Sequence, residues 1–475
     1  VTGDCGANRI PTVDERSLSI IAFSLFSAWL LAFPFEGQVL YAMAAKHGID
    51  ISTMVFGAVA AHLAGLFACG FFVKNLAAAR RTMLLSTAVC LAGSLVFYLP
   101  VAVVWPLTLA AISLAAGFFI AAWGFFFRRY TPPNARLSTA ADVLICSNLL
   151  MIFLNVTTLH TSPAAGHTLG IAMQAASLLL TARLQASEPP SLFKPAEAIN
   201  PTPPLTFLCL FIIILTVNSG LMYQVINPAF AHHTTLVTWY WAVPYIAALY
   251  IVKKLPPSSD RTYLLYIGIA MIGLAFLSFM VLDRSVTSYL IVDTLLLGAC
   301  GVYDLFWWSI LGEMLDYDAN PAKILGIGLS ANVLGVLLGG MLGHAITAVD
   351  AQSSNPSLIA IAIVFVILII LPPLNKHLSL QLKGHAFLAV LAGMAAARSD
   401  QAVDEFIRNC ELTERESEIA ALLLQGRTYK MIADELYLSV NTVKTHIKNI
   451  YSKFNIRSKA ELVKLLTEHE NTLSG

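Results

Sequence analysis

The 475-residue chain is 57% hydrophobic and only 12% charged, with a mean hydropathy of +0.73. Soluble domains carry about twice that share of charge, so one soluble globular body is excluded. The formal net charge of +1 gives no global bias toward an acidic or basic partner, so any such preference must be local. A membrane-crossing helix needs roughly 20 mostly apolar residues. In chain order such stretches fall at 18–41, 52–73, 82–100, 105–127, 137–157, 165–184, 205–226, 234–252, 262–282, 287–312, 323–349 and 357–373, which predicts twelve spans. The segment before Leu18 is polar and shows no cleavable leader pattern.

Lysine and arginine set the orientation of these spans. One set of alternate loops holds Arg9, Arg16, Lys74, Arg80, Arg81, Arg128, Arg129, Arg136, Arg183, Lys194, Lys253, Lys254, Arg261 and Lys323; the other holds only Lys46 and Arg284. The bias places the first set in the cytoplasm, and an even number of spans returns both termini there. The seven cysteines (Cys5, Cys69, Cys90, Cys146, Cys209, Cys300, Cys410) form no CxxC pair and no ligand spacing, and five fall in spans. They read as small core residues. No catalytic constellation, phosphate-cradling loop, cofactor motif or metal cluster is evident, so the expectation is a non-enzyme without a cofactor.

The apolar region repeats. A shift of 184 residues lays "GFFIAAWGFFF" (117–127) on "GVYDLFWWSIL" (301–311), matching Trp123 with Trp307, and "SNLL" (147–150) on "ANVL" (331–334), matching Asn148 with Asn332. A shift of 186 matches Gln38-Val39 with Gln224-Val225, and the proline-rich "QASEPPSLFKPAEAINPTPP" (185–204) reads as a linker between the copies. Two six-helix halves joined in this way resemble the major facilitator superfamily. The superfamily's loop motif is incomplete in "GFFVKNLAAARR" (70–81), which keeps Gly70, Arg80 and Arg81 but has no acidic residue between them. That departure argues against active transport.

Past residue 375 the composition turns polar. "LTERESEIAALLLQG" (412–426) has Thr413 followed three residues later by Glu416, a capping box that starts a helix. Ile419, Leu422 and Leu423 form its apolar stripe, and Gly426 can end it. "TYKMIADEL" (428–436) predicts a short second helix with Ile432, Ala433 and Leu436 inward. Ser439 caps a third, on which Val443, Ile447, Ile450, Tyr451 and Phe454 share the inner face. Asn441, Lys444, Thr445 and Lys448 lie on the other face. From Ser439 to Lys459 there are five lysines and arginines and no acidic residue. A short helix, a tight turn and a longer basic helix suit the DNA major groove.

The stretch "LTERESEIAALLLQGRTYKMIADELYLSVNTVKTHIKNIYSKFNIRSKAEL" is identified as a LuxR-type DNA-binding domain. It carries L-T-x-R-E-x-E, G-x-[ST], I-A-x-x-L, L-S-x-x-T-V-K-x-H, I-Y-x-K and R-S-x-A-E. Phe454 stands where leucine is usual. The resemblance implies base reading by Lys444, Thr445 and Lys448, with Asn441 on the same DNA-binding face, and dimerisation through a fourth helix at about Lys459–Thr467. No receiver domain precedes it, so phosphorelay control is not expected.

The expected fold class is all-α: a twelve-helix membrane domain at 1–374 (halves 15–184 and 205–374), a cytoplasmic linker at 375–410, and a four-helix LuxR-type helix-turn-helix domain at 411–475. The expected function is a one-component transcription regulator in the bacterial inner membrane, responding to a small molecule and binding operator DNA as a homodimer. The alternatives are a transporter with an added regulatory domain, and a helix-turn-helix that binds protein. Ionisable groups at mid-bilayer are costly and mark candidate pockets. The strongest are Glu36, in "FPFEGQ" where the helix can open, and Asp304, one turn from Trp307 and Trp308. Asp142 and Asp293 read more as structural groups, His62 and Tyr223 are secondary candidates, and Trp239 and Trp241 suit an interfacial belt. "HAFLAVLAGMAAA" (385–397) is too short to span and suits a docked or coupling helix.

Overall fold

The fold is taken from a computed structural model that describes residues 14–35, 37–185, 202–255, 262–349 and 355–381, and in the tail 412–424, 438–454 and Tyr429, Ile432, Ala433, Leu436, Ile456, Glu461 and Leu462. The side chains of 52, 53, 202, 203, 262, 349, 355 and 375–381 are not included. Glu36, Cys5, Cys410, Gly426, most of the linker at 185–204, the stretch 385–397 and most of the expected fourth helix lie outside the described residues. The chain divides into two units, Val1–Leu388 and Ala389–Gly475.

The first unit is helical throughout its described length apart from its connections. Helix α1 (Glu15–Ala32) stops because Pro34 cannot extend it, and the chain re-enters α2 (Gln38–His47) after Gly37. Gly48, in the left-handed conformation at φ 67°, ends α2. There follow α3 (Ser52–Phe72), α4 (Leu76–Val96), α5 (Trp105–Ala122), α6 (Gly124–Tyr130), α7 (Arg136–His160) and α8 (Pro163–Arg183). The span expected at 105–127 is thus interrupted at Trp123, whose indole donates to Ser19 Oγ at 2.9 Å.

The second half runs through α9 (Thr202–Leu221), α10 (Asn227–Phe230), α11 (Thr234–Val237), α12 (Ala242–Lys254), α13 (Thr262–Val281), α14 (Val286–Met314), α15 (Pro321–Val349) and α16 (Asn355–Gln381). Between α9 and α10 the turns widen to a π-helix over Met222–Ile226. Pro228 explains the widening, because it has no N–H and its ring crowds the preceding turn.

Among the described residues of this unit, ten helical stretches are long and apolar enough to cross a membrane, against the twelve expected. The two missing are α4 and α8, each 21 residues long. Arg80 and Arg81 in α4, and His167, Gln174 and Arg183 in α8, dilute their hydropathy. Three of these polar groups find partners on the facing helix. His167 Nε2 lies 2.8 Å from Ser94 O, Ser94 Oγ donates to Gln174 Oε1 at 3.5 Å, and Arg80 donates to the carbonyls of Thr181 and Ala182. Internal satisfaction of this kind is what a lipid setting demands.

Helices α1 and α3–α8 pack among themselves, as do α9 and α12–α16; α3 with α15, and α7 with α12 and α14, join the two sets. Small residues permit the closest approaches: a Cβ on Gly339 would lie 2.1 Å from Val217 O, and one on Gly220 2.2 Å from Val336 O, so α9 and α15 touch backbone to backbone.

The second unit has its own core. Helices α17 (Glu414–Leu424) and α18 (Val440–Lys453) bury Ile419, Ala420, Leu423, Val443, Ile447 and Ile450, joined by Ile432, Ala433 and Leu462.

Candidate nucleic-acid interface and membrane-domain polar site

Helix α18 begins where Ser439 Oγ accepts the Thr442 amide at 3.0 Å. This cap fixes the helix phase. Val443, Ile447 and Ile450 then point into the core, while Asn441, Lys444, Thr445 and Lys448 are exposed on one face. The Thr445 hydroxyl donates to the Asn441 carbonyl at 3.0 Å, which leaves its methyl free for an outside contact. The structure therefore brings all four sequence-selected residues together. Tyr451 and Phe454 are partly buried against the core.

Lys453 plays another part. Its ammonium donates to Glu416 Oε2 at 2.7 Å, and the same oxygen accepts the Thr413 amide at 2.9 Å. The Glu416 amide donates back to Thr413 Oγ1 at 3.3 Å, which completes the capping box. Arg415 donates to the Leu436 carbonyl at 2.8 Å and pairs with Glu418 at 2.5 Å. One acid thus joins the start of α17 to the end of α18.

The Lys453 ammonium, and after it the Thr413 amide, hold the Glu416 carboxyl down at about 2. A carboxyl lowered on folding stabilises fully above its ordinary value of 4.5, and that contribution is lost as pH falls toward 2. The isolated tail should therefore lose stability between these limits in chemical denaturation. Glu416→Gln should remove that part of the slope and cost about 1 kcal/mol at neutral pH. An unchanged acid slope in Glu416→Gln would show that another group governs it.

In the membrane unit Asp304 accepts the Tyr245 hydroxyl on Oδ2 at 2.7 Å and the Trp307 indole on Oδ1 at 3.2 Å. It borders a small cavity with Thr216, Asn218, Ser219, Cys300 and Tyr303, all of the second half. Trp308 faces the other way. Its ring lies 6.1 Å from Phe23, edge-on, and 6.5 Å from Trp123. Trp307 sits between, 5.8 Å from Trp308. Asp304 and Trp307 are therefore one group, whereas Trp308 belongs to the aromatic contact with the first half.

Asp142 pairs with Lys253 across the halves. Asp293 is buried with its Oδ2 unpartnered. His62 is buried with Nδ1 3.1 Å from Ser113 O and its ring edge-on to Phe35, which suits a packing role. Trp239 is exposed.

Sequence reasoning counted Arg128 and Arg136 only as orientation charges. In the structure they hold the two halves together. Arg136, 1% exposed, donates to the carbonyls of Gly312 at 2.6 Å and Glu313 at 3.3 Å, and pairs with Asp316 at 2.8 Å. Arg128 donates to the carbonyls of Leu315 at 3.1 Å and Asp318 at 2.9 Å. Asn320 donates to the carbonyls of Gly70 at 2.7 Å and Val73 at 2.9 Å. With Asp142–Lys253 these contacts form a latch among the basic loops.

Residues 411–466 match the family of bacterial regulatory proteins of the luxR type. The transcriptional regulatory protein LiaR of Bacillus subtilis is 37% identical over 71 residues, which are 15% of this chain and 34% of LiaR. The HTH-type transcriptional regulator MalT of Vibrio campbellii is 39% identical over 61 residues, 13% of this chain and 7% of MalT. The chain thus spans a third or less of these curated relatives. Solved structures resemble it over 76% of its length. They include the human organic anion transporter TETRAN (TM-score 0.59, 13% identity, all of that chain) and a bacterial homologue of the iron transporter ferroportin (0.57, 13%, 98% of that chain). A third is the proton:xylose symporter XylE of the major facilitator superfamily (0.57, 10%, 95% of that chain). At these identities the likeness is one of fold.

Proposed function

We propose that this chain, a LuxR-family DNA-binding domain joined to a multi-pass membrane domain of the major facilitator fold, is a membrane-bound one-component transcription regulator. The membrane domain would bind a small molecule, and the tail would bind operator DNA. The observation that carries this reading is the exposed face of Asn441, Lys444, Thr445 and Lys448, in the same chain as ten helical stretches, among the described residues, long and apolar enough to cross a bilayer. A DNA reader tethered to a membrane can act only from the cytoplasmic side.

In this reading α4 and α8 also cross, sheltered by their mutual hydrogen bonds, so twelve spans leave both termini in the cytoplasm of a bacterial inner membrane. The membrane domain occupies 1–374, a linker 375–410, and a four-helix tail 411–475 that pairs as a homodimer on DNA through the segment near Lys459–Thr467. Glu36, Asp304 and Trp307 are the candidate effector residues; Trp308, expected beside them, packs against Phe23 and Trp123 instead. The latch offers the two-state element that an effector could bias, since a ligand shifts an equilibrium only through differential affinity for its states. No catalytic step is part of the proposal.

Topology tests the arrangement. In a background freed of native cysteines, single cysteines at Asn8 and Gln401 should resist an impermeant thiol reagent in intact cells, and one at Ser353 should react. Labelling of Gln401 from outside would separate the tail from the genome and end the proposal.

A further inference from the structure

A small cavity lies beside Asp304. It has room for about one water-sized guest, about 10 Å³, and is bordered by α9, α13 and α14. Asn218 on α9 is 2% exposed and lines it, with both its amide oxygen and its amide nitrogen unpartnered. A buried amide left so is costly unless a guest satisfies it. Ser219, next along α9, is hydrogen-bonded to Cys300 through its side chain. Thr216 also borders the cavity, but its hydroxyl is turned toward α15, where it lies 3.1 Å from the Asn332 carbonyl and against Gly335, so it is not among the donors.

Asp304 supplies the charge. Its two hydrogen bonds come from neutral donors, Tyr245 and Trp307. None of the ion pairs among the described residues involves it. A carboxylate within a membrane span calls for a counter-charge.

We propose that this cavity binds a monovalent metal cation of sodium size, held by the Asp304 carboxylate, the Asn218 amide oxygen and the hydroxyl oxygen of Ser219. One carboxylate balances one positive charge. Oxygen donors suit a hard ion, whereas a calcium ion takes six to eight oxygens and a cavity for one small guest offers fewer. Among the described residues there is no group of three His, Cys, Asp or Glu side chains that would favour a transition metal. The guest would cross-link α9 to α14 and, through the Tyr245 hydroxyl, to α12. Asp304 is also a candidate effector residue in the regulatory reading, but cation binding does not rest on that reading, because it is measured without DNA or effector.

The test uses the purified full-length chain in detergent. Thermal unfolding is followed in sodium chloride against potassium chloride and choline chloride at equal ionic strength, and binding of radioactive sodium is measured directly. Sodium should raise the melting temperature above both other salts, and bound radioactive sodium should be displaced by unlabelled sodium but not by potassium. Asp304→Asn and Asn218→Leu should each abolish the sodium-specific shift, and Asp142→Asn should keep it. If either cavity variant fails to fold, the competition experiment on the unmodified chain decides. Equal melting in all three salts with no displaceable sodium would overturn the site and leave a bound water. Stability that depends on pH but not on sodium would overturn it in favour of a proton on Asp304. A sodium shift that survives in folded Asp304→Asn would place the ion elsewhere.

Discussion

Arg136→Met should free the basic ends of the two halves from each other. The guanidinium is almost fully buried, and it serves two carbonyls and Asp316 at once. Removing one partner of a buried, hydrogen-bonded pair costs about 3–5 kcal/mol, chiefly because the other is left unpaired. Asp316 keeps contact with solvent, so the cost here belongs near the lower end. The loss falls on one side of the molecule only, where Arg128, Asn320 and Asp142–Lys253 make further polar contacts between the halves and Gly70 and Gly124 pack against Lys323 and Pro321. The halves should therefore part at that end before the whole domain unfolds. Spin labels at Arg129 and Ala319, both exposed, report the gap. The otherwise unmodified protein should give a narrow distance distribution, and Arg136→Met a longer and broader one. If the tail is governed by the latch, reporter transcription in Arg136→Met should also become constant, whatever the effector supply. Identical distributions in the two proteins would show that the latch is not what holds the halves.

Lys444→Ala and Lys448→Ala should each cost about 1–3 kcal/mol on the true operator and much less on random DNA. Both lysines are exposed on the face opposite Val443 and Ile447, and a lysine in the major groove can donate to guanine O6 and N7. A lysine that touches only phosphate behaves differently. Its loss weakens every sequence alike and lowers the salt slope by about one; Lys459→Ala is expected to behave so. Lys453→Met forms a third class. Its ammonium is engaged by Glu416, so the change should lower the stability of the tail and leave affinity unaltered well below the melting temperature. Titrations of the tail, residues 400–475, on both DNAs at two salt concentrations separate the three behaviours. Equal losses on operator and random DNA for Lys444→Ala would put a different face in the groove.

What could be read from the sequence follows from how local each signal is. The Thr413–Glu416 box and the Ser439 cap depend on residues three apart, and both form as spacing predicts. The division of α18 into a buried and an exposed face follows from helical period alone. Pro34 stops α1 by covalent geometry, and "FPFEGQ" marked the place; the π-helix before Pro228 was not read from the sequence. The apolar pattern placed spans over α4 and α8, but it did not reveal that Ser94 of one helix meets Gln174 and His167 of the other. Trp123 interrupts its span without a proline or a charge to announce it, and its indole is anchored by Ser19, over a hundred positions away. The latch was hidden in the same way, because most of Arg136's acceptors are backbone carbonyls, which carry no sequence signature. Asn218 is one small polar residue in an apolar run, and only the packing of α9 against α13 and α14 turns it into the wall of a cavity. Asp304 and Trp308 are four residues apart and one turn of helix suggested a shared site, yet Asp304 meets Tyr245 while Trp308 meets Phe23.

Chromatin immunoprecipitation of the intact, membrane-embedded chain joins both halves of the proposal in one experiment. The cells are fractionated after crosslinking, so that only DNA held by protein in the membrane fraction is sequenced. The proposal predicts discrete genomic peaks containing paired half-sites about one helical turn apart, lost in a Lys444→Ala, Lys448→Ala double variant that still reaches the membrane at the same level. Membrane-fraction DNA with no sequence-specific enrichment, or peaks that persist unchanged in the double variant, would contradict it.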